Sequence, residues 1–426
     1  MSKKLFLSGL VLFVLLSSSF VSVGFSLVLW TKTYGGVGDQ SATSIIETSD
    51  GGYAIFGETS FEHHLSDWLL IKIDADGILQ WNQTYARVNA EGKDDASSAA
   101  SFVQTIDGGY ALFGSSSFGD TNDNDYWLVK TDEQGNMEWN YTYGGPQFDL
   151  ASSLIQTSDG GYALFGTIAG HNEDYYIVKT DSQGNYMWSK IYGTGEREFG
   201  VSMVEISDGG YALAGYVQSV RNGTAAYQLL EIDSVGNMEW NQSYGWNTLT
   251  NIKYSFTLND LVKTSDEGFA LGGTRRITPP FYPEEFFLVK TDEFGNMQWN
   301  RTYNEGGGPL IQTFDGGFAY ASSYRTNIEE TYLDAYMIKI DLNGNVEFNH
   351  NHSQVDRQQV SSLIQTSDGG FALAGRTADD EDENSEFWVL KTDEQGIPEF
   401  PSWIIPPFFI VVTLIGFLVR KRLVRT

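Results

Sequence analysis

The feature that most constrains this chain is a tandem repeat that fills its middle. A short motif, Asp-Gly-Gly followed by an aromatic residue or a close variant of it, recurs at intervals of 49 to 58 residues. Its aspartates are Asp50, Asp107, Asp159, Asp208, Asp266, Asp315 and Asp368. A chain of 426 residues would otherwise be expected to form two or three domains, but a closed ring of repeats grows as one unit. The repeat therefore predicts one large domain over residues 25–397.

Each repeat is predicted to form four short strands, A to D. In the third copy these are residues 152–157, 162–167, 175–181 and 186–193, with the Asp-Gly-Gly turn between A and B and a Gly-Asn turn between C and D. Glycine supplies the positive φ that tight hairpins need. Because no repeat shows a helical period, an α-solenoid is excluded. Four-stranded units of this length are typical of propeller blades, so we expect an all-β, seven-bladed β-propeller of four-stranded antiparallel blades.

The seventh copy lacks a strand D. It runs through Asp368 to Gly396 and then breaks into a proline-rich tail. The missing strand is found at the other end of the domain, where residues 30–36 (Trp-Thr-Lys-Thr-Tyr-Gly-Gly) match residues 139–145 of the second copy. We therefore expect the N-terminal strand to complete the last blade, which would remove the exposed edges of an open array.

The segment from strand C to strand D, Asp-x-x-Gly-x-x-x-Trp, resembles the tryptophan-docking motif of the PQQ-like (quinoprotein-type) propeller repeats. The matching positions are Trp30, Trp81, Trp139, Trp188, Trp240 and Trp299, with Phe348 in the sixth copy. The resemblance implies that these rings pack between neighbouring blades. It implies no cofactor, because that family includes non-enzymatic scaffolds and this chain has no cysteine for the vicinal pair common in its dehydrogenases.

The two ends of the chain differ in kind from the repeats. Residues 1–24 combine Lys3 and Lys4 with an apolar run and small residues, which predicts a signal peptide; an uncleaved N-terminal anchor is the alternative. Residues 398–402 form a proline-rich linker. Residues 403–419 are apolar and predict a transmembrane helix, and residues 420–426 form a basic cytoplasmic tail.

This C-terminal segment resembles the Pro-Glu-Phe-like sorting signals of archaeal and bacterial surface proteins, which implies either cleavage and lipid attachment or a permanent anchor. Both alternatives predict a protein on the cell membrane with most of the chain extracytoplasmic, and the membrane as a partner through the C-terminal helix.

The net charge of −29 argues against nucleic acid as a partner, since a phosphate backbone requires a basic surface. The most acidic loop contains Asp379, Asp380, Asp382 and Glu383 and is a weak candidate for Ca²⁺, but a solvated acidic loop is the simpler interpretation. Asn222 begins an Asn-Gly-Thr sequon in a loop and is a glycosylation candidate.

No motif for a catalytic nucleophile, a phosphate loop or a zinc site occurs in the sequence. The B–C and D–A connections vary between copies, whereas the A–B and C–D turns are nearly identical. Because variable loops are where binding sites are usually built, the sequence predicts a binding or scaffold module for a protein, glycan or envelope component. The alternatives are an extracytoplasmic enzyme (a glycan-active hydrolase or lyase, or a degenerate quinoprotein) and a purely structural envelope protein.

Overall fold

The fold is all-β, and it was obtained as a computed structural model. The structure describes residues 30–36, 38–60, 66–88, 94–95, 97–117, 124–170, 172–221, 224–245, 253–278, 284–304, 306–324, 334–352, 357–378 and 384–397. Within this part of the chain, thirty strands and no helix are found.

The strands group into seven four-stranded antiparallel units over the described residues, with one short hairpin outside them. A single parallel pair, Asn124 opposite Phe148, joins units 2 and 3 into one eight-stranded sheet. Strand β1 (Trp30–Tyr34) comes first and belongs to the last unit. Unit 1 contains β2 (Asp39–Glu47), β3 (Tyr53–Ser60), β4 (Asp67–Ile73) and β5 (Leu79–Tyr85). The hairpin is β6 (Arg87–Val88) and β7 (Asp94–Asp95). Unit 2 contains β8 (Ser97–Gln104), β9 (Tyr110–Ser117), β10 (Asn124–Thr131) and β11 (Met137–Tyr143).

The next three units follow the same order of strands. Unit 3 contains β12 (Phe148–Gln156), β13 (Tyr162–Ala169), β14 (Glu173–Thr180) and β15 (Tyr186–Tyr192). Unit 4 contains β16 (Arg197–Glu205), β17 (Tyr211–Gln218), β18 (Ala225–Ile232) and β19 (Met238–Tyr244). Unit 5 contains β20 (Lys253–Lys263), β21 (Phe269–Thr278), β22 (Glu285–Thr291) and β23 (Met297–Tyr303).

The last two units differ from this pattern in one strand each. Unit 6 contains β24 (Leu310–Gln312), β25 (Phe318–Tyr324), β26 (Asp334–Ile340) and β27 (Val346–Asn351), and its first strand is short. Unit 7 contains β28 (Arg357–Gln365), β29 (Phe371–Ala378) and β30 (Ser385–Thr392), and β1 is its fourth strand. Strand β1 pairs antiparallel with β30, so that Trp30 lies opposite Lys391 and Tyr34 opposite Phe387.

The hydrophobic core lies between the sheets. Each of seven buried clusters in the described residues combines side chains from two neighbouring units. One of them joins Ile45 and Ile55 of unit 1 to Phe387 and Val389 of unit 7, which closes the ring. In unit 2, for example, the second and third strands are almost wholly buried, whereas the fourth strand is largely exposed at the rim. These four-stranded sheets are the blades of a β-propeller, and the repeat predicted from the sequence is confirmed.

The predicted fold class requires a correction. It included a transmembrane helix at residues 403–419, whereas the described residues form an all-β fold in which each strand lies in a hydrogen-bonded ladder. No helix in this part of the chain is long and apolar enough to cross a membrane. Residues 1–24 and 398–426, which carry the predicted signal peptide, linker, span and tail, lie outside the described residues.

Candidate functional site

The inner strands surround a central channel, and a β-bulge recurs in them at one level. The strand register shifts between Ala42 and Ser44, Ala99 and Ser101, Ala151 and Ser153, Gly200 and Ser202, Leu258 and Asp260, and Val360 and Ser362. A bulge leaves one residue unpaired and bends its strand, which redirects the neighbouring side chains. Here the bulged residue and the one after it line the channel at the same height in six units.

This level of the channel carries a belt of hydroxyl groups. The residue after the bulge is Ser44, Ser101, Ser153, Ser202 and Ser362 in five units and Asp260 in unit 5. The backbone N–H of Ile45 donates to the Ser362 hydroxyl at 3.2 Å, and that of Met203 donates to the Ser153 hydroxyl at 3.3 Å. The belt therefore links one inner strand to the next, and it encloses a polar cavity of about 460 Å³.

Asp260 is the residue that breaks the repetition of this belt. One of its carboxylate oxygens accepts hydrogen bonds from the Leu261 N–H at 2.8 Å and the Ser202 hydroxyl at 3.1 Å, and the other accepts from the Leu310 N–H at 3.4 Å. Burial raises the pKa of Asp260 to about 6, although these hydrogen bonds act to lower it. A carboxyl group with a raised pKa thus stands where five other units have a neutral hydroxyl.

The channel wall is also locally incomplete beside Asp260. In unit 6 the inner strand begins only at Leu310, and a Gly-Gly-Gly-Pro segment at residues 306–309 takes the place of its first half. A Cβ at Gly307 would lie 2.4 Å from the Thr274 hydroxyl oxygen and 2.5 Å from the Asn259 side-chain oxygen, so the backbone approaches unit 5 as only glycine allows. The cavity is therefore asymmetric and has its most polar corner at Asn259 and Asp260.

The cavity offers hydroxyl, amide and carboxylate groups, and these suit hydrogen bonding to a polar ligand. Ser202 donates to Asp260, but the residues lining the cavity include no histidine that would activate the hydroxyl as a nucleophile. No group of three or more potential metal ligands occurs in the described part of the chain.

Several residues singled out in the sequence lie elsewhere. Asp379, Asp380, Asp382 and Glu383, the calcium candidates, and Asn222, the glycosylation candidate, are outside the described residues.

The aromatic rings of the tryptophan-docking motif are not part of the channel and lie near the outer rim. Each of the following rings packs against the glycine in the C–D turn of the next unit: Trp30 on Gly77, Trp81 on Gly135, Trp139 on Gly184, Trp188 on Gly236, Trp240 on Gly295 and Phe348 on Gly396. Trp299 packs against Phe318 of unit 6. A substituent at Gly135 would come within 2.7 Å of the Trp81 ring, so the glycine permits both the turn and the close approach.

Sequence reasoning missed a second contact in the same repeat. Four residues after each docking tryptophan is a tyrosine whose hydroxyl donates to the backbone oxygen of that same turn glycine. The pairs are Tyr34–Gly77, Tyr85–Gly135, Tyr143–Gly184, Tyr192–Gly236, Tyr244–Gly295 and Tyr303–Gly344. In unit 6 this position is His352. The Trp-x-x-x-Tyr spacing was visible in the sequence. The glycine that accepts from each tyrosine lies more than 40 residues further along the chain, so only the fold identifies the contact.

No protein-family model matches the sequence, and no curated protein matches it significantly. Among solved structures, it is similar to puromycin hydrolase, with a TM-score of 0.50 and 10% identity over 81% of this chain and 50% of that one. A protein of unknown function from Dyadobacter fermentans has a TM-score of 0.49 and 11% identity, covering 85% of this chain and 98% of that one.

An α-L-arabinanase of Penicillium chrysogenum, complexed with arabinobiose, has a TM-score of 0.44 and 9% identity over 86% of this chain and 99% of that one. The likeness to puromycin hydrolase, at 10% identity, concerns the fold alone.

Proposed function

We propose that this chain is an extracytoplasmic β-propeller that works as a binding module, with a neutral, hydroxyl-rich ligand such as a glycan segment entering its central channel. The observation that carries the proposal is Asp260, a carboxylate in a belt that is otherwise serine, at the edge of a polar cavity of about 460 Å³. If the belt only held neighbouring inner strands together, a serine in unit 5 would serve as well as it does in the five other units. The change to aspartate therefore favours a second role, which is contact with a ligand.

The charge of the protein narrows the class of ligand. A net charge of −29, in which Asp260 is counted as ionised, disfavours anionic ligands, and Asp260 places one of these negative charges beside the channel. Sugar hydroxyls donate to carboxylates and accept from serine hydroxyls, so a neutral glycan matches the groups of the belt. The volume of the cavity falls within the usual range for small-molecule sites.

Binding fits the site better than catalysis. A hydrolase of glycosides requires two carboxyl groups that face each other across the scissile bond. Among the described residues that line this cavity, Asp260 is the single acidic one. The variable loops around the channel would then supply additional contacts to a larger glycan, protein or envelope component.

The proposal is tested by calorimetric titration of the full chain with a panel of neutral oligosaccharides, using wild type and Asp260→Ser. This variant gives unit 5 the residue that five other units have, so the belt is expected to remain intact. Since hydrogen bonds to a charged group contribute about 1.5–3 kcal/mol, affinity for a bound oligosaccharide should fall at least about tenfold.

Glu133→Gln provides the control, because Glu133 is exposed in a tight turn at the opposite face of the ring. Its affinity should equal that of the wild type. A folded protein that binds none of the panel, or an Asp260→Ser variant with unchanged affinity, would remove the channel from consideration as the binding site. Release of shortened oligosaccharides during the titration would instead favour an enzyme.

A further inference from the structure

An ion pair between a buried lysine and a partly exposed aspartate recurs in six of the seven units. The lysine near the end of the third strand places its ammonium nitrogen 2.8 to 2.9 Å from the aspartate of the Asp-Gly-Gly turn. The pairs are Lys72–Asp50, Lys130–Asp107, Lys179–Asp159, Lys290–Asp266, Lys339–Asp315 and Lys391–Asp368. Each ammonium also donates to the backbone carbonyl of the following residue, so its charge is fully compensated.

Unit 4 keeps the acceptors of this pair and lacks the lysine. Glu231 occupies the lysine position, and Asp208 remains in the turn. In unit 2 the lysine has a second carboxylate partner, Glu138, at 3.1 Å, and Glu239 is its counterpart in unit 4. Three carboxyl groups therefore line one cavity of unit 4 on the side where the other units hold an ammonium group.

Among the described residues, the one cation that lines the cavity beside Glu231 already has a carboxylate partner. The three carboxyl groups line a cavity of about 290 Å³ between units 4 and 5. The charged side chains that face it from unit 5 are Lys263, Glu267 and Glu293. Lys263 is engaged by Glu267 at 2.7 Å, so its charge is already balanced.

Trp240 connects this acidic group to the contact between the two units. Its indole nitrogen donates to a carboxyl oxygen of Glu231 at 3.0 Å. The same ring packs against Gly295 in the C–D turn of unit 5, where a Cβ would lie only 2.6 Å from it. A change in the position of Glu231 is therefore transmitted to the docking contact that holds unit 4 against unit 5.

We propose that this junction is a pH-responsive joint, in which a proton held among Glu231, Asp208 and Glu239 keeps unit 4 closed on unit 5. Its loss makes the three carboxylates repel one another, which displaces Glu231 and with it the Trp240 ring that packs on unit 5. Carboxylates that share one small cavity repel each other, and partial burial strengthens the repulsion. The other six junctions have an ammonium group at this position and do not respond over the same range of pH.

The raised pKa of Glu231 determines whether the junction is more stable at low or at high pH. Burial, together with the charges of Glu239 and Asp208, raises the pKa of Glu231 to about 7 from an ordinary 4.5, although the hydrogen bond from Trp240 acts to lower it. A carboxyl group with a raised pKa binds its proton more tightly in the folded state. Its contribution to stability is therefore complete below about pH 4.5 and is lost as the pH rises through about 7.

The joint is tested by hydrogen exchange and thermal unfolding of the full chain between pH 5.5 and 8.5, with exchange corrected for its intrinsic pH dependence. In the wild type, the amides of β18, β19 and the C–D turn of unit 5 should lose protection as the pH rises. Glu231→Lys restores the ion pair and should abolish this loss, and it should raise Tm at pH 8.5 by roughly 2 °C or more. Glu231→Gln has nearly the same shape, and it should remove the pH dependence even if the lysine variant folds poorly.

Unit 2 offers the converse experiment. Lys130→Glu would place a third carboxyl group beside Asp107 and Glu138, the arrangement found naturally in unit 4. This variant should create a second segment, at β10 and β11, that loses protection between pH 5.5 and 8.5. The proposal is overturned if protection in unit 4 has the same pH dependence in wild type and Glu231→Gln.

Discussion

The indole nitrogen of Trp30 donates a hydrogen bond of 2.9 Å to the backbone oxygen of Ala75, a residue in the C–D turn of unit 1. Trp30 begins the strand that completes unit 7, so this bond joins the last blade to the first. The Trp30 side chain is 9% exposed and packs edge-on against Tyr53 at 6.0 Å between ring centres. Because the strand of Trp30 also pairs with β30 near the other end of the repeat region, the closure of the ring depends on this residue.

Trp30→Ala should destabilise the protein by about 3–5 kcal/mol, because it removes a large buried ring at the closing contact. Trp30→Phe keeps most of the ring and loses the hydrogen bond, so its cost should be about 1–2 kcal/mol. Denaturant unfolding of the full chain gives both values. Equal losses in the two variants would show that the hydrogen bond, and not the packing, holds the ring closed.

Tyr85→Phe removes the hydroxyl that donates to the Gly135 carbonyl at 2.7 Å in a buried contact between units 1 and 2. The carbonyl is left without this partner, so we expect a loss of about 1–3 kcal/mol in the free energy of unfolding. Tyr141→Phe is the matched control, because the Tyr141 side chain is exposed at the rim, and it should be neutral within about 0.5 kcal/mol. A neutral result for both variants would contradict a structural role for the tyrosine contacts.

Lys179→Met should destabilise the protein at neutral pH and flatten its loss of stability in acid. Burial acts to raise the pKa of Asp159, but hydrogen bonds from Thr157 and Lys179 lower it to about 2. A lowered pKa means that the contribution of Asp159 is present above about pH 4 and is lost as the pH falls towards 2. Thermal unfolding from pH 2 to 7 measures this loss of stability in acid. Lys190→Met, on the neighbouring strand of the same unit, should leave the loss of stability in acid unchanged.

His352→Tyr should stabilise the protein and remove a pH effect. Burial and the charge of His350 lower the pKa of His352 to about 4, so its contribution to stability is complete above about pH 6.5 and is lost as the pH falls through 4. Tyrosine is the residue at the matching position of the other six units, where it donates to a turn glycine, and Gly396 is the corresponding glycine here.

The readout for His352→Tyr is Tm between pH 4 and 7. The variant should have a higher Tm than the wild type, by roughly 2 °C or more, and the difference should grow towards pH 4. A variant whose Tm falls with pH as steeply as that of the wild type would assign the acid sensitivity to another group.

Much of the local structure could be predicted from repetition. The Asp-Gly-Gly turn is set by adjacent residues, since Gly108 adopts a φ of 88° and the carboxylate of Asp107 accepts from the Gly109 N–H at 3.1 Å. The docking tryptophans were likewise visible as a pattern. The predicted fold class is corrected to an all-β fold over the described residues, and the predicted transmembrane helix, calcium loop and sequon lie outside them.

The candidate site could not be predicted in this way. Asp260 was one acidic residue among many in the sequence, and it gained meaning only when the bulges placed it beside Ser202 and the Leu310 N–H. Glu231 likewise looked like an ordinary strand residue. Its significance became visible only when the structure showed that the matching residue of the six other units is a lysine paired with the turn aspartate.

The sequence by itself determined the strands, the tight turns and the repeated contacts between them, because these depend on residues that are near each other and recur in every copy. Only the tertiary structure decided which departures from the repeat matter. Closing the ring brings distant strands into contact, and burial there changes the charge and the hydrogen bonding of single residues such as Asp260 and Glu231.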